Sequence, residues 1–162
     1  MSLKIQIQPL ADNLCHVSTL AAWHHEQFGY LNPSATIEQR IEKLIASAQK
    51  GKLPLTVVAI CENKLLGSAS LLSKTITHQH LSPWLSSVYV APECRNRGIG
   101  SALTQHIVQE AANIGIEKVY LFTPDAEALY ASLGWKVIEY LEYQGHRLTI
   151  MSVSTKITMS VN

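Results

Sequence analysis

Apolar and polar residues alternate along "KIQIQ", residues 4–8, a period of two that predicts a short strand closed by Pro9. From Leu14 to Phe28 the composition is helical but weakly periodic, and Gly29 ends the segment. Ile37 to Gln49 is a clearer helix. Ile37, Ile41, Leu44, Ile45 and Ala48 share one face, while Glu38, Gln39, Glu42 and Lys43 point away. Thr36 with Gln39 has the spacing of a capping box, and Gly51 stands where a C-terminal cap belongs. Leu55–Cys61 and Leu65–Leu72 predict two strands around Glu62-Asn63-Lys64. The polar connection "SKTITHQHLSP" leads to a third strand, Leu85–Val90. Ile99, Ala102, Leu103, Ile107, Ala111 and Ile114 then make a helical face ended by Gly115. "KVYLF" predicts a strand, "TPDAEALYASLG" a short helix, and Lys136–Tyr143 with Arg147–Ile157 a hairpin across Gly145.

The order β-αα-βββ-α-β-α-ββ predicts an α/β (α+β) fold with a mixed, mostly antiparallel central sheet flanked by helices on both faces. Three consecutive strands precede the first crossover helix, which excludes a doubly wound nucleotide fold. No repeat, linker or low-complexity tract divides the chain, so residues 1–162 are expected to form a single domain.

Composition adds little specificity but removes several classes. With 47% hydrophobic and 15% charged residues the balance is globular. A formal net charge of +1 gives no field that would recruit nucleic acid or an anionic membrane. No apolar run approaches the roughly 20 residues of a membrane span, and the first residues form no apolar leader. Cys15, Cys61 and Cys94 are an odd number without a close pair, which fits reduced thiols and a cytoplasmic location.

One stretch carries chemistry, "VYVAPECRNRGIGSALTQHIV", residues 88–108. A strand that feeds a helix N-terminus can cradle a phosphate with unpaired N–H groups and the positive end of the helix dipole. Gly98 and Gly100 would let a ligand approach that backbone, and Arg95 and Arg97 supply charge suited to phosphate oxygens. The competing reading is a tight turn with solvated arginines. A P-loop is absent, and Leu103 breaks the dinucleotide fingerprint G-x-G-x-x-G.

"RNRGIGSAL" resembles the R/Q-x-x-G-x-G/A signature of the GCN5-related N-acetyltransferases (GNAT), which transfer acetyl from acetyl-CoA to amines. "AEALYASLGW" is similar to the A-x-x-L-Y-x-x-x-G-F/W segment of the same family, and the element order agrees along nearly the whole chain. The resemblance implies that the main chain of Val88, Tyr89 and Val90 binds the pantetheine arm like an added strand. It implies that Arg95, Asn96, Arg97, Gly98, Ile99, Gly100 and Ser101 hold the pyrophosphate. Tyr130 falls on the tyrosine that acts as general acid toward the departing thiolate, with core packing as its alternative. Thr123 stands where many relatives carry Asn, and the resemblance places it among the residues that bind the cofactor.

A base that would deprotonate the amine stays unassigned, because "LSSVYV" holds no carboxylate. Glu93, His78 and His80 lie nearby in sequence. The two histidines could be a base, a substrate contact, half a metal site or solvated loop residues, and a full metal site lacks further ligands. Trp84, with Tyr30 and Trp23, could wall an acceptor pocket or belong to the core. The expected activity is acetyl transfer from acetyl-CoA, a co-substrate, to a primary amine of a small molecule or peptide. Direct attack in a ternary complex needs no metal, and Cys94 leaves a thiol relay open. The alternatives are a non-catalytic acyl-CoA-binding or interaction module of the same fold, and an enzyme for longer acyl groups. No nucleic-acid or membrane partner is expected, and a homodimer is allowed.

Overall fold

The computed structural model describes residues 4–75, 78 and 80–156. Its elements are β1 (Gln6–Pro9), α1 (Val17–Phe28), α2 (Ile37–Ala46), β2 (Leu55–Cys61), β3 (Lys64–Leu72), β4 (Trp84–Val90), α3 (Ile99–Ile114), β5 (Lys118–Thr123), α4 (Glu127–Ser132), β6 (Lys136–Tyr143) and β7 (His146–Ser154). The strands make one sheet in the order β1-β2-β3-β4-β5-β7-β6. Only β4 and β5 run parallel, so the sheet is mixed and mostly antiparallel. Glu62 and Asn63 (φ 50° and 66°) turn β2 into β3, and Gln144 and Gly145 (φ 51° and 79°) turn β6 into β7. Two central residues at positive φ match the twist of a two-residue hairpin.

Alternation along the strands sorts the side chains onto two faces. Val57, Ala59, Ala69, Leu71 and Leu85 pack on Ile99, Leu103, Ile107 and Ala111 of α3. Val58, Ile60 and Leu65 pack on the other face against Val17, Leu20 and Ala21 of α1 and Leu44 of α2. Burying one such leucine contributes about 1.5–3 kcal/mol.

Several boundaries differ from expectation for identifiable reasons. β1 begins two residues later and includes Pro9, which an edge strand tolerates. The first helix starts at Val17, after a 3₁₀ turn at Leu14–His16. The capping box of Thr36 and Gln39 forms, but α2 stops at Ala46, short of Gln49. There the Ser47 hydroxyl donates to the Leu44 carbonyl and lies 2.7 Å from the Thr56 hydroxyl, which draws the chain down onto the sheet. The apolar face of α2 is narrower than its pattern, since Ile37 and Ile45 are exposed. In α3, Ala102 is exposed and Thr104 is buried instead, its hydroxyl donating to the Gly100 carbonyl at 2.8 Å. α4 starts at Glu127, because the Thr123 hydroxyl accepts from the Ala126 amide at 3.0 Å and closes a turn that contains Pro124. β7 ends at Ser154; Ile157, the expected end of that strand, lies outside the described residues.

The feature that positions the site lies in β4. Ser68 and Ser70 of β3 face Tyr89 and Ser86, so one β3 residue stands opposite Ser87 and Val88 together. This is a bulge, with Ser87 at φ 55°. Beyond it β4 stays on β3, with Val90 opposite Gly67 and the Ala91 amide donating to the Leu66 carbonyl at 2.8 Å. On the other side β4 meets β5 only at Trp84 and Tyr120 among the described residues. From the bulge onward the two parallel strands part, and the β5-facing backbone of β4 lacks a strand partner.

Gly67 holds this half of β4 in place by having no side chain. A Cβ there would run into the Tyr89 carbonyl oxygen, a backbone atom that cannot step aside alone. Gly67→Ala should therefore destabilise the protein by about 1–3 kcal/mol, the usual range for overpacking. Urea denaturation checks this, and an unchanged midpoint would mean that β3 and β4 part freely.

Candidate active site

The parting strands open beside the start of α3. Gly98 occupies the N-cap at φ 79°, a left-handed conformation costly for other residues, and Asn96 adopts φ 65° just before it. No side chain caps this helix, so its first amides keep free hydrogens. Residues 95–98 are exposed, and a Cβ at Gly100 would meet only Val90 Cγ2 at 3.7 Å. Packing within the protein does not demand glycine at position 100, whereas ligand approach to bare backbone would. Ile99 is buried below this turn and Ser101 is half-buried within it.

Arg95 and Arg97 do not act as a matched pair. The Arg95 Nε donates to the Val90 carbonyl at 2.9 Å, and its guanidinium lies 5.5 Å from the centre of the Tyr89 ring. Arg95 thus lies across the strand edge, away from the helix turn, and occupies an acceptor that the resemblance assigned to pantetheine. Val88 and Val90 turn their side chains toward the α3 core. The Tyr89 ring turns to the opposite face, 5.2 Å from Trp23 and 6.2 Å from His24. The main chain of Val88–Val90 is left along the opening.

Tyr130 lies on α4. It is 8% exposed, belongs to the α3-side core and sits edge-on to Trp135 at 6.0 Å. Burial pushes its hydroxyl pKa up to about 12, the Thr104 hydroxyl beside it offsets part of that, and the Asp125 charge adds to it. The phenol therefore keeps its proton at any physiological pH and can give one rather than take one.

Other candidates stand apart from the opening or are committed. Trp84 is 1% exposed with its indole N–H bonded to the Leu81 carbonyl, so it is core and presents no wall to an acceptor. His78 is not solvated: Nε2 contacts the Glu139 carboxylate of β6, and the ring stacks on Trp84 at 6.3 Å. His80 is exposed, 5.6 Å from His78. Both sit with Trp84 at the closed end of the β4–β5 pair. Cys94 is buried, which withdraws the thiol relay. The Thr123 hydroxyl is buried and accepts within its own turn. Among the described residues no group of three or more His, Cys, Asp or Glu could hold a metal ion, and no helix is long and apolar enough to cross a membrane.

Residues 54–137, just over half of the chain, match the acetyltransferase (GNAT) domain, and the chain belongs to that family. No curated protein matches it in sequence. Among solved structures it is similar to an aminoglycoside 6'-N-acetyltransferase complexed with coenzyme A, with a TM-score of 0.74, 14% identity and coverage of 94% of this chain and 98% of that one. It is also similar to yncA, a putative acetyltransferase from Salmonella typhimurium with its cofactor acetyl-CoA, at TM-score 0.73, 17% identity and 98% of each chain. A GCN5-related N-acetyltransferase from Kribbella flavida aligns at TM-score 0.73 and 20% identity over 93% of this chain and 97% of that one.

Sequence reasoning missed His24. Val17, Leu20, Ala21 and His24 occupy one stripe of α1, and a polar residue at its last position hid the period. His24 is 4% exposed and its Nε2 lies 2.9 Å from the Ser68 hydroxyl, beneath Tyr89. Burial first, and the Arg40 charge second, lower its pKa from 6.5 to about 4. A folded pKa below the unfolded one means stability present above pH 6.5 and lost as pH falls toward 4, up to about 3 kcal/mol. His24→Gln, which stays neutral, should flatten the stability profile between those pH values. An equal slope in wild type and variant, measured by denaturation, would remove His24 from this role.

Proposed function

We propose that the protein transfers acetyl from acetyl-CoA, a co-substrate, to a primary amine of a small molecule or peptide. The observation that carries this reading is the parting of β4 from β5 directly beside the uncapped start of α3. Amide groups of Val88–Val90 suit the amide-rich pantetheine arm as an added strand. The first amides of α3, with Arg97 and the bare backbone of Gly98 and Gly100, suit the pyrophosphate. In this reading Arg95 leaves the Val90 carbonyl when the arm arrives and turns to the phosphates. Two of the solved structures named above are described with coenzyme A or acetyl-CoA, which supports the same ligand here.

The amine reacts in a ternary complex as a free base, since an ammonium has no lone pair. Its nitrogen attacks the acetyl carbonyl carbon, a C–N bond forms and the C–S bond breaks. The thiolate that leaves takes the Tyr130 proton, which the buried phenol retains at neutral pH. The proton lost by the amine passes to solvent, and the Tyr130 phenolate takes a proton back from solvent before the next turnover. This reading uses Val88–Val90, Arg97–Ser101 and Tyr130 and gives no role to His78 and His80, which lie toward the Trp84 end of β4.

Acetyl-CoA should raise the melting temperature, and Gly98→Asp should abolish the shift by placing a side chain and a negative charge at the helix start. Wild-type affinity of the Gly98→Asp variant by calorimetry would move the phosphate site elsewhere. With an accepted amine, Tyr130→Phe should leave acetyl-CoA affinity unchanged and lower kcat by about 10²–10⁴-fold. A wild-type kcat with chemistry rate-limiting would make Tyr130 a packing residue. Binding of acetyl-CoA without release of CoA to any amine would support the non-catalytic module instead.

A further inference from the structure

The gap between β4 and β5 has two faces. Val88 and Val90 of β4, Val119 and Leu121 of β5, and Met151 and Val153 of β7 pack on the α3 side, in the core that also holds Tyr130. Alternation turns Tyr120 and Phe122 of β5, and His146, Leu148 and Ile150 of β7, to the opposite face. Tyr89, past the bulge, points the same way, against Trp23 and His24 of α1. In the acetyl-transfer reading, phosphates at the start of α3 and the Tyr130 phenol take up the α3 side. The α1 side is then the one left for the acceptor.

A chain of ring contacts crosses that side. Phe28, the last residue of α1, stands edge-on to Tyr89 at 6.5 Å. The backbone runs from it directly into the 3₁₀ turn Gly29–Leu31, which carries Tyr30. On the other side of the gap β7 pairs with β5 up to Thr149 opposite Thr123, the last residue of β5, and His146, the first residue of β7, lies beyond that end. The Tyr30 and His146 rings meet edge to face with centroids 4.9 Å apart, a preferred aromatic geometry. Tyr89, Phe28, Tyr30 and His146 thus tie β4 to β7 past the end of β5, on the face away from α3. Both ends are anchored, since Leu31 beside Tyr30 and Leu148 beyond His146 are buried. Tyr30 itself is 47% exposed and His146 half-buried, which sets the pair at the rim.

We propose that the Tyr30–His146 pair is a clasp over the acceptor entrance and sets how wide an amine the protein accepts. What enters rests on the acetyl-transfer reading above; the contact across the gap does not. Rings 4.9 Å apart let nothing pass between them, so an acceptor lies under the clasp, between it and the end of β5. A slender alkyl amine fits there, and a ring-bearing one meets Tyr30 or His146. Removing either ring unfastens the clasp, because each is the other's support.

The test compares n-butylamine with cyclohexylmethylamine, which present the same CH2–NH2 nucleophile and differ in the width behind it. With wild-type protein kcat/KM should favour n-butylamine. Tyr30→Ala and His146→Ala should each raise the cyclohexylmethylamine-to-butylamine ratio of kcat/KM about tenfold, with the KM for acetyl-CoA unmoved. Tyr30→Phe, which keeps the ring, should hold the wild-type ratio. A wild-type preference for cyclohexylmethylamine, or a ratio that either alanine variant leaves unmoved, overturns the proposal while leaving acetyl transfer intact. Calorimetry of both amines on the protein loaded with CoA reads the entrance without turnover. An affinity ratio that Tyr30→Ala shifts toward cyclohexylmethylamine, with neither amine acetylated, would keep the clasp and overturn the acetyl-transfer reading.

Discussion

The bulge at Ser87 is the constraint from which the rest of the site follows. A regular β4 would run beside β5 along its whole length, pairing the backbone groups of both strands and closing the sheet. One additional residue in β4, held against β3 by the Gly67 approach, turns the strand away after a single β5 pair. The sheet gives up ladder hydrogen bonds at its centre, where they are most protected. In exchange it exposes a row of amides that ends beside the uncapped start of α3. The same departure leaves the Val90 carbonyl free, and the Arg95 side chain covers it.

A central sheet with such a gap must be held by what packs on either side. On one face α3 and α4 bury a continuous apolar core that includes Tyr130 and Trp135. On the other, α1 and α2 use polar contacts as well. Thr56 lies 2.7 Å from both the Ser47 and Ser70 hydroxyls, and His24 meets Ser68. These groups are buried but mutually satisfied, which makes their burial affordable. Neutral His24 also supports Tyr89 from below, so the polar layer braces the half of β4 that has left β5.

Much of this was legible in the sequence. Alternation and apolar runs located the seven strands and apolar periodicity located α2 and α3, while α1 and α4 were read from composition and turn residues. The exposed turn before α3 was visible from Gly98 and Gly100, and the short helix that carries Tyr130 from "TPDAEALYASLG". The bulge was not, since "LSSVYV" reads as an unbroken strand and Ser87 carries no mark of a left-handed conformation. Polar residues in core positions, His24 and Thr104, broke the periodicity that would have exposed them. The sequence left His78 open among several roles because its partner, Glu139, lies on a strand far along the chain.

The central claim is that the gap between β4 and β5, together with the start of α3, is where the acyl-CoA lies. Amide chemical shifts followed by NMR during titration with acetyl-CoA test it most directly. The account predicts that the largest changes fall on Val88–Val90 and on Ile99–Ser101, with β1 and β2 little moved. Changes concentrated on β6 and β7, with Val88–Val90 and Ile99–Ser101 unmoved, would contradict it.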